Sequence, residues 1–270
     1  MRYLGVSRAE LYSPNRVWGD TAVFRAVASE LERHGHEVIC INEQELTSIP
    51  DGIDGIFHMA RSGEALDVLS GAKVPVTNTV QAVLNCARAR QTELLKDSGL
   101  IPDSIIWSTA GVTAGWNRFP CWIKRPDSHA VEKDDVGFIL NAMELETAIH
   151  GFAERGIKEC VLQGHAQGFL VKFYGVRGYG LTDCYVASAK DGKFGLESLN
   201  NQPDVAFIDM EELTAAASRA SALLGVDIYG GDAVVGDDGN IAIIDFNDWP
   251  SFRTCTVGAA QKIAELIMNK

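Results

Sequence analysis

Near its C-terminus this chain carries two apolar strands joined by a tight polar turn, and the second strand ends in a fixed chemical pattern. Asp227-Ile-Tyr-Gly-Gly-Asp-Ala-Val-Val235 runs through Asp237-Asp238-Gly239-Asn240 into Ile241-Ala-Ile-Ile-Asp-Phe-Asn-Asp-Trp-Pro-Ser-Phe252. Asp, Asn and Gly between apolar runs predict a β-hairpin. On an extended backbone, residues two apart leave the same face, so Asp245 and Asn247 project together. Hairpin pairing brings a third oxygen donor, Asp232, beside Asp245. Carboxylate and amide oxygens so arranged suit Mg²⁺ (or Mn²⁺) and leave positions for substrate phosphates. A lone Asp-x-Asn would be read as a polar strand end entering a loop. The third acid and the lysines described below reverse that weighting.

Composition narrows the class. At 270 residues the chain can bury a large core, as one domain or as two packed closely. Apolar content of 46% and charged content of 22% exclude a disordered or membrane-spanning chain. No apolar run approaches the roughly 18 residues of a transmembrane helix. The opening Met1-Arg-Tyr-Leu-Gly-Val reads as a first strand and lacks a signal-peptide plan. The six cysteines are scattered without a Cys-x-x-Cys pair, several in apolar strand contexts. Reduced core thiols and a cytoplasmic setting are the expectation. A net charge of −12 argues against nucleic acid or an anionic membrane as partner, while a local basic pocket can still hold a polyphosphate. A small-molecule substrate is the expected partner, for a monomer or a homo-oligomer.

Strand and helix patterns alternate along the chain. Tyr3–Val6, Val38–Ile41, Gly55–His58 and Val74–Thr77 read as strands. Phe24, Val27, Ala28 and Leu31 follow the spacing of an amphipathic helix that Gly35 ends. This βα rhythm predicts a mainly parallel sheet over the first 75 or so residues. Thr79–Ser98 reads as one helix. Beyond Pro102 short strands dominate, at Cys121–Lys124, Cys160–Gln163, Leu170–Val176 and Asp183–Ser188. Helices are expected at Met143–Arg155, Glu211–Leu224 and around Ala260–Ile267. The second part is therefore α+β.

Two lysines stand where nucleotide chemistry would want them. Lys124 ends the apolar strand Pro120-Cys-Trp-Ile, and Lys172 sits inside Gly168-Phe-Leu-Val-Lys-Phe-Tyr-Gly175. A lysine in such a strand must reach water or meet a negative group. Each alone reads as an exposed strand lysine. Together with an Asp/Asp/Asn set they can neutralise a triphosphate from both sides while Mg²⁺ bridges its oxygens. In the empty protein the Lys172 ammonium is expected to be uncompensated.

These residues resemble the ATP-grasp superfamily, whose members place one lysine before a loop, a second basic residue on a later strand, and acid, acid and Asn on a terminal hairpin. Lys124, Lys172, Asp232, Asp245 and Asn247 match that order. Asn78-Thr79…Asn85-Cys-Ala-Arg-Ala-Arg90…Gly99-Leu-Ile-Pro102 is similar to the family's linking helix. The resemblance implies an α/β N-terminal domain over 1–77, like the one preceding the ATP-grasp unit in D-alanine–D-alanine ligase and glutathione synthetase. It implies an α+β ATP-grasp domain over 78–270, with a linking helix at 78–102 and subdomains at about 103–163 and 164–270 holding ATP between them. The adenine would bond to the backbone joining the two halves, and the matching segment makes Val161, Leu162 and Gln163 the expected hinge. The acid that usually holds the ribose is missing, leaving Gln163 or Gln167. The loop after Lys124 lacks covering glycines, so its phosphate contacts would rest on Ser128 and His129.

Ser128-His129 and Gln163-Gly-His165 also resemble the 5/6-type inositol-phosphate kinases, which share this fold. There His165 would sit beside the transferring phosphoryl group. Arg177 and Arg253 are further basic candidates; Arg253 follows the metal-type strand and could clamp an acyl phosphate bidentately. Substrate specificity is expected from Arg61, Ser13-Pro-Asn-Arg16 and Arg253. The leading expectation is a Mg-ATP-dependent carboxylate-amine ligase with Lys172 and Arg253 in catalysis. A small-molecule kinase using His165, or a nucleotide-binding protein without turnover, are the alternatives.

Overall fold

The computed structural model describes residues 1–13, 17–111, 115–127, 133–188 and 207–270. Its first sheet is parallel. Strands β1 (Arg2–Ser7), β2 (Glu37–Asn42), β3 (Gly55–His58) and the two-residue β4 (Val76–Thr77) lie in the order β2-β1-β3-β4. Parallel strands need crossover helices, and α1 (Val17–Arg33) and α2 (Gly63–Ser70) supply them. Leu4, Val6 and Ile56 face α2, whereas Tyr3 and Phe57 join Phe24, Val27 and Leu31 of α1 in a second core.

The stretch 79–98 is two helices, α3 (Val80–Asn85) and α4 (Arg88–Leu95), where one was expected. Ala87 is extended between them, with φ −64° and ψ 135°. The Gln91 side chain explains the break: its Nε2 donates to the Cys86 carbonyl at 2.6 Å and to the Phe246 carbonyl at 2.7 Å. It thereby takes a carbonyl that a continuous helix would use itself and ties α4 to the last strand.

Two antiparallel sheets follow. The first contains β5 (Ser104–Ser108), β6 (Cys121–Lys124), β7 (Val136–Ile139) and β8 (Glu159–Gly164), ordered β5-β8-β6-β7 and backed by α5 (Ala142–Glu154). The second contains β9 (Phe169–Val176), β10 (Gly180–Val186), β11 (Ile228–Val235) and β12 (Ile241–Asp248), ordered β10-β9-β11-β12. Helix α6 (Met210–Leu224) covers one face of it through Phe173, Phe246, Leu213 and Ala217. Helix α7 (Thr256–Met268) returns to pack with α1, so Tyr3, Phe24 and Phe57 share one apolar cluster with Tyr174, Val176, Ile228 and Trp249. Strands β5 and β7 and helix α2 were not expected from the sequence. No helix among the described residues is long and apolar enough to cross a membrane.

Candidate active site

Alternation decides which side chains of the second antiparallel sheet face away from α6. Phe169, Val171 and Phe173 point toward α6, so Leu170, Lys172 and Tyr174 point away. Register then aligns one side chain per strand. Tyr185 of β10 lies opposite Lys172 of β9, Lys172 opposite Asp232 of β11, and Asp232 opposite Asp245 of β12. The hairpin and the third acid are as the sequence predicts. Glycine makes the row this tight, because a Cβ at Gly231 would fall 2.4 Å from the Asp245 carbonyl oxygen.

The Lys172 ammonium donates to Asp232 Oδ1 at 2.8 Å. It is therefore compensated within the chain, contrary to expectation, and the compensating anion is one of the metal-type acids. Burial alone would lower the Lys172 pKa; the Asp232 carboxylate outweighs it and leaves it raised. The Asp232 pKa is raised as well. Burial is the larger cause, Lys172 opposes it, and the Asp245 charge adds to it. One ammonium of the row thus lies beside two of its carboxylates. Asn247 Nδ2 donates to Asp245 Oδ2 at 3.1 Å, while Asn247 Oδ1 is buried with no hydrogen-bond partner among the described residues. Two carboxylates side by side and an amide oxygen with no hydrogen-bond partner among the described residues fit a hard divalent cation. Among the described residues no three His, Cys, Asp or Glu side chains gather for a metal, so the amide is needed to complete the set.

Lys124 reaches this row from the other antiparallel sheet. Its Nζ donates to Gln163 Oε1 at 2.7 Å and to the Ile244 carbonyl at 2.9 Å, one residue before Asp245. Burial, then the Arg88 guanidinium, push the Lys124 pKa down to about 8 against the pull of Asp245 and Asp232. Arg88 was not singled out from the sequence. It comes from α4, with Nε 3.8 Å from Asp245 Oδ1, and only the fold joins it to the site. Tyr185 was missed for the same reason: its hydroxyl lies 3.3 Å from that of Tyr174 and accepts from Arg253 Nη2 at 3.3 Å. Arg253 is thereby placed beside the tyrosine that faces Lys172.

The remaining expectations divide. Val161, Leu162 and Gln163 lie mid-strand in β8, which pairs with β5 on one side and β6 on the other. Their backbone groups are committed to those ladders, and the Leu162 side chain packs with Ile149 and Phe152 of α5. The backbone that joins the two antiparallel sheets is instead His165-Ala166-Gln167-Gly168. A central strand and a connecting strand carry the same apolar residues, so sequence could not separate them. Gln163 keeps a place in the site through its side chain. His165 stands apart, accepting on Nδ1 from Trp122 Nε1 at 3.2 Å with its ring 5.2 Å from that of Phe138. Burial lowers its pKa. Arg177 is occupied with the Ser221 carbonyl at 2.7 Å and with Asp227 at 3.2 Å. Arg61 pairs with Asp248 at 2.5 Å. Ser128, His129 and Arg16 lie outside the described residues.

No sequence family model and no curated protein sequence matches this chain. Solved structures do. The chain is similar to a RimK domain protein ATP-grasp from Sphaerobacter thermophilus, with a TM-score of 0.69 and 16% identity over 98% of this chain and 99% of that one. It is similar to D-alanine–D-alanine ligase from Bacillus anthracis complexed with ATP, with a TM-score of 0.71 and 14% identity over 100% and 96%. It is also similar to VanG D-Ala:D-Ser ligase from Enterococcus faecalis, with a TM-score of 0.69 and 14% identity over 99% and 98%. A parallel N-terminal sheet followed by two antiparallel sheets, matched over nearly the whole chain by these structures, is the ATP-grasp fold, and this chain adopts it.

Proposed function

We propose that this chain is a Mg-ATP-dependent ligase that joins a carboxylate to an amine on small molecules. The observation that carries the reading is the aligned row Lys172, Asp232 and Asp245, with Asn247 beside it and the Lys124 ammonium brought to the adjacent backbone. In this reading residues 1–77 form the preceding domain and 78–270 the nucleotide-binding unit. The adenine lies against the apolar patch of Leu170, Ala187 and Val234, with the 165–168 backbone at its edge. Lys124 and Lys172 hold the phosphates. Asp232, Asp245 and Asn247 hold Mg²⁺ (or Mn²⁺), which when bound neutralises phosphate charge.

The chemistry has two displacements. A carboxylate oxygen of one substrate attacks the γ-phosphorus and ADP leaves, giving an acyl phosphate. The amine of the second substrate then attacks the acyl carbon, inorganic phosphate leaves, and an amide remains. Lys172 supplies charge to the transferring phosphoryl group, while Arg253 and the Tyr185 hydroxyl stand on the side where an acyl phosphate needs donors. The kinase alternative rested on His129 and His165, and the partners of His165 are Trp122 and Phe138. The test is an assay of free phosphate with ATP, Mg²⁺ and a panel of carboxylate and amine pairs. Phosphate released only when both co-substrates are present supports a ligase; a phosphorylated hydroxyl product without free phosphate overturns it.

A further inference from the structure

Both carboxylates of the charged row have a cation of this chain beside them. The Lys172 ammonium lies 2.8 Å from Asp232 Oδ1, and the Arg88 guanidinium 3.8 Å from Asp245 Oδ1. A third cation, the Lys124 ammonium, bonds to the Ile244 carbonyl at 2.9 Å, one residue before Asp245. Lys172, Arg88 and Lys124 thus stand against Asp232 and Asp245 alone in this row, and the positive charge is in excess.

The oxygen donors of Asp232, Asp245 and Asn247 suit a divalent cation, but the charge around them does not invite one that arrives bare. An ion on Asp232 would share its carboxylate with the Lys172 ammonium. Both side chains are partly buried, so salt would screen that repulsion poorly. A polyphosphate reverses the balance. It carries more negative charge than the metal brings positive, so the two together arrive as an anion that the surplus cations attract. Lys172 can follow the phosphates. Its flexible four-carbon stem can carry the ammonium away from Asp232 by side-chain rotation alone, while β9 stays fixed in its ladders with β10 and β11.

We propose that Lys172 is a selectivity residue: its ammonium withholds Asp232 from a free divalent cation and yields it to one delivered as a metal–polyphosphate complex. This selectivity rests on the nucleotide reading of the same row and adds an order to it, in which metal and phosphates enter together. It has an unusual consequence. Removing Lys172 should strengthen the binding of free metal, whereas removing a group that merely supports the fold of the site should weaken it.

Electron paramagnetic resonance and calorimetry on the full chain test this with two probes: Mn²⁺ alone, and Mn²⁺ preformed with the β,γ-imido analogue of ATP. Wild type should bind the complex saturably and free Mn²⁺ more weakly, by roughly tenfold or more. Lys172→Met and Lys172→Gln should bind free Mn²⁺ roughly tenfold more tightly than wild type and the complex less tightly, so that the preference collapses. Adding Asp232→Asn to either variant should abolish the gain. If both Lys172 variants fail to fold, the wild-type preference decides. The proposal is overturned, with the nucleotide reading left standing, if wild type binds the complex but the Lys172 variants gain nothing toward free Mn²⁺. It is overturned on wild type alone if free Mn²⁺ binds as tightly as the complex. If neither probe binds wild type, the nucleotide reading fails and the selectivity fails with it.

Discussion

Lys172 shows how one side chain serves two states. Its ammonium holds Asp232, with side-chain exposures of 17% and 28% for the pair, and is also the group placed to meet a phosphate. Lys172→Met should therefore destabilise the protein, on the order of 2 kcal/mol in a urea melt, because the buried Asp232 loses its ion-pair partner beside Asp245. An unchanged midpoint would mean that the pair is idle. Lys124 sets a pH dependence for nucleotide binding. With its pKa lowered to about 8, the ammonium is intact below that pH and lost above it. Since phosphates favour the charged form, affinity for Mg·ATP should hold below pH 8 and fall as pH rises through it. Titration calorimetry across that range reads this directly, and Lys124→Arg should flatten the curve. These residues were legible in the sequence because strand alternation ties Asp245 to Asn247 and marks Lys172 as an intruder among apolar neighbours. Arg88 and Tyr185 were not, because each enters the site from an element that only tertiary packing brings there.

Among the elements, β3 and the start of β11 are fastened by one asparagine. Asn78 Oδ1 accepts from the backbone N–H of Asp227 at 2.7 Å and of Ile228 at 2.8 Å, and its carbonyl accepts from His58 Nε2 at 2.7 Å. His58 is wholly buried, and burial lowers its pKa to about 4 against the opposing pull of Asp248. The unfolded chain binds that proton at an ordinary pKa near 6.5. The contribution of a neutral His58 is thus complete above pH 6.5 and lost as pH falls toward 4, by about 3 kcal/mol at most. His58→Gln should flatten this part of the stability-pH curve, and a wild-type curve already flat between pH 6.5 and 4 would contradict the assignment. Helix α6 carries a local signal that needs no tertiary context: Asp209 Oδ1 accepts from the N–H groups of Glu211 and Glu212, both at 3.0 Å. Asp209→Ala should cost about 1 kcal/mol in thermal unfolding. The apolar period of this helix was readable from sequence; its cap is a finding of the structure. The split of 79–98 was not, since it hangs on Gln91 reaching the Phe246 carbonyl, 155 residues away.

For the whole molecule, the shared cluster of Tyr3, Phe24, Phe57, Tyr174, Ile228 and Trp249 joins the parallel sheet to the last sheet through α1 and α7. The sheet of β5 to β8 has its own core with α5, around Ile123, Leu145, Phe152 and Leu162. Hydrogen exchange should therefore show β6 to β8 opening as a separate unit, at lower free energy than β1, β9 and β11. A single global rate for all of them would refute this. Mg·ATP at about 100 times its dissociation constant should stabilise the protein by roughly 2.7 kcal/mol. Equal stabilisation without the metal would argue against Asp232, Asp245 and Asn247 as its ligands.

Beyond the bulge at Ile244, strand β12 has a parity. Asp245 and Asn247 face the charged row, while Phe246 lies in the core under α6 and Asp248 meets Arg61 in the loop after β3. One inserted residue between Ile244 and Phe246 would exchange the two duties, turning an aromatic ring toward the charged row and a carboxylate into the apolar core. Two inserted residues would restore the exchange but move the acid one ladder step away from Lys172. This strand can therefore drift in composition but not in length, and related chains should carry its acid and amide at an unbroken spacing even where every neighbouring residue has changed.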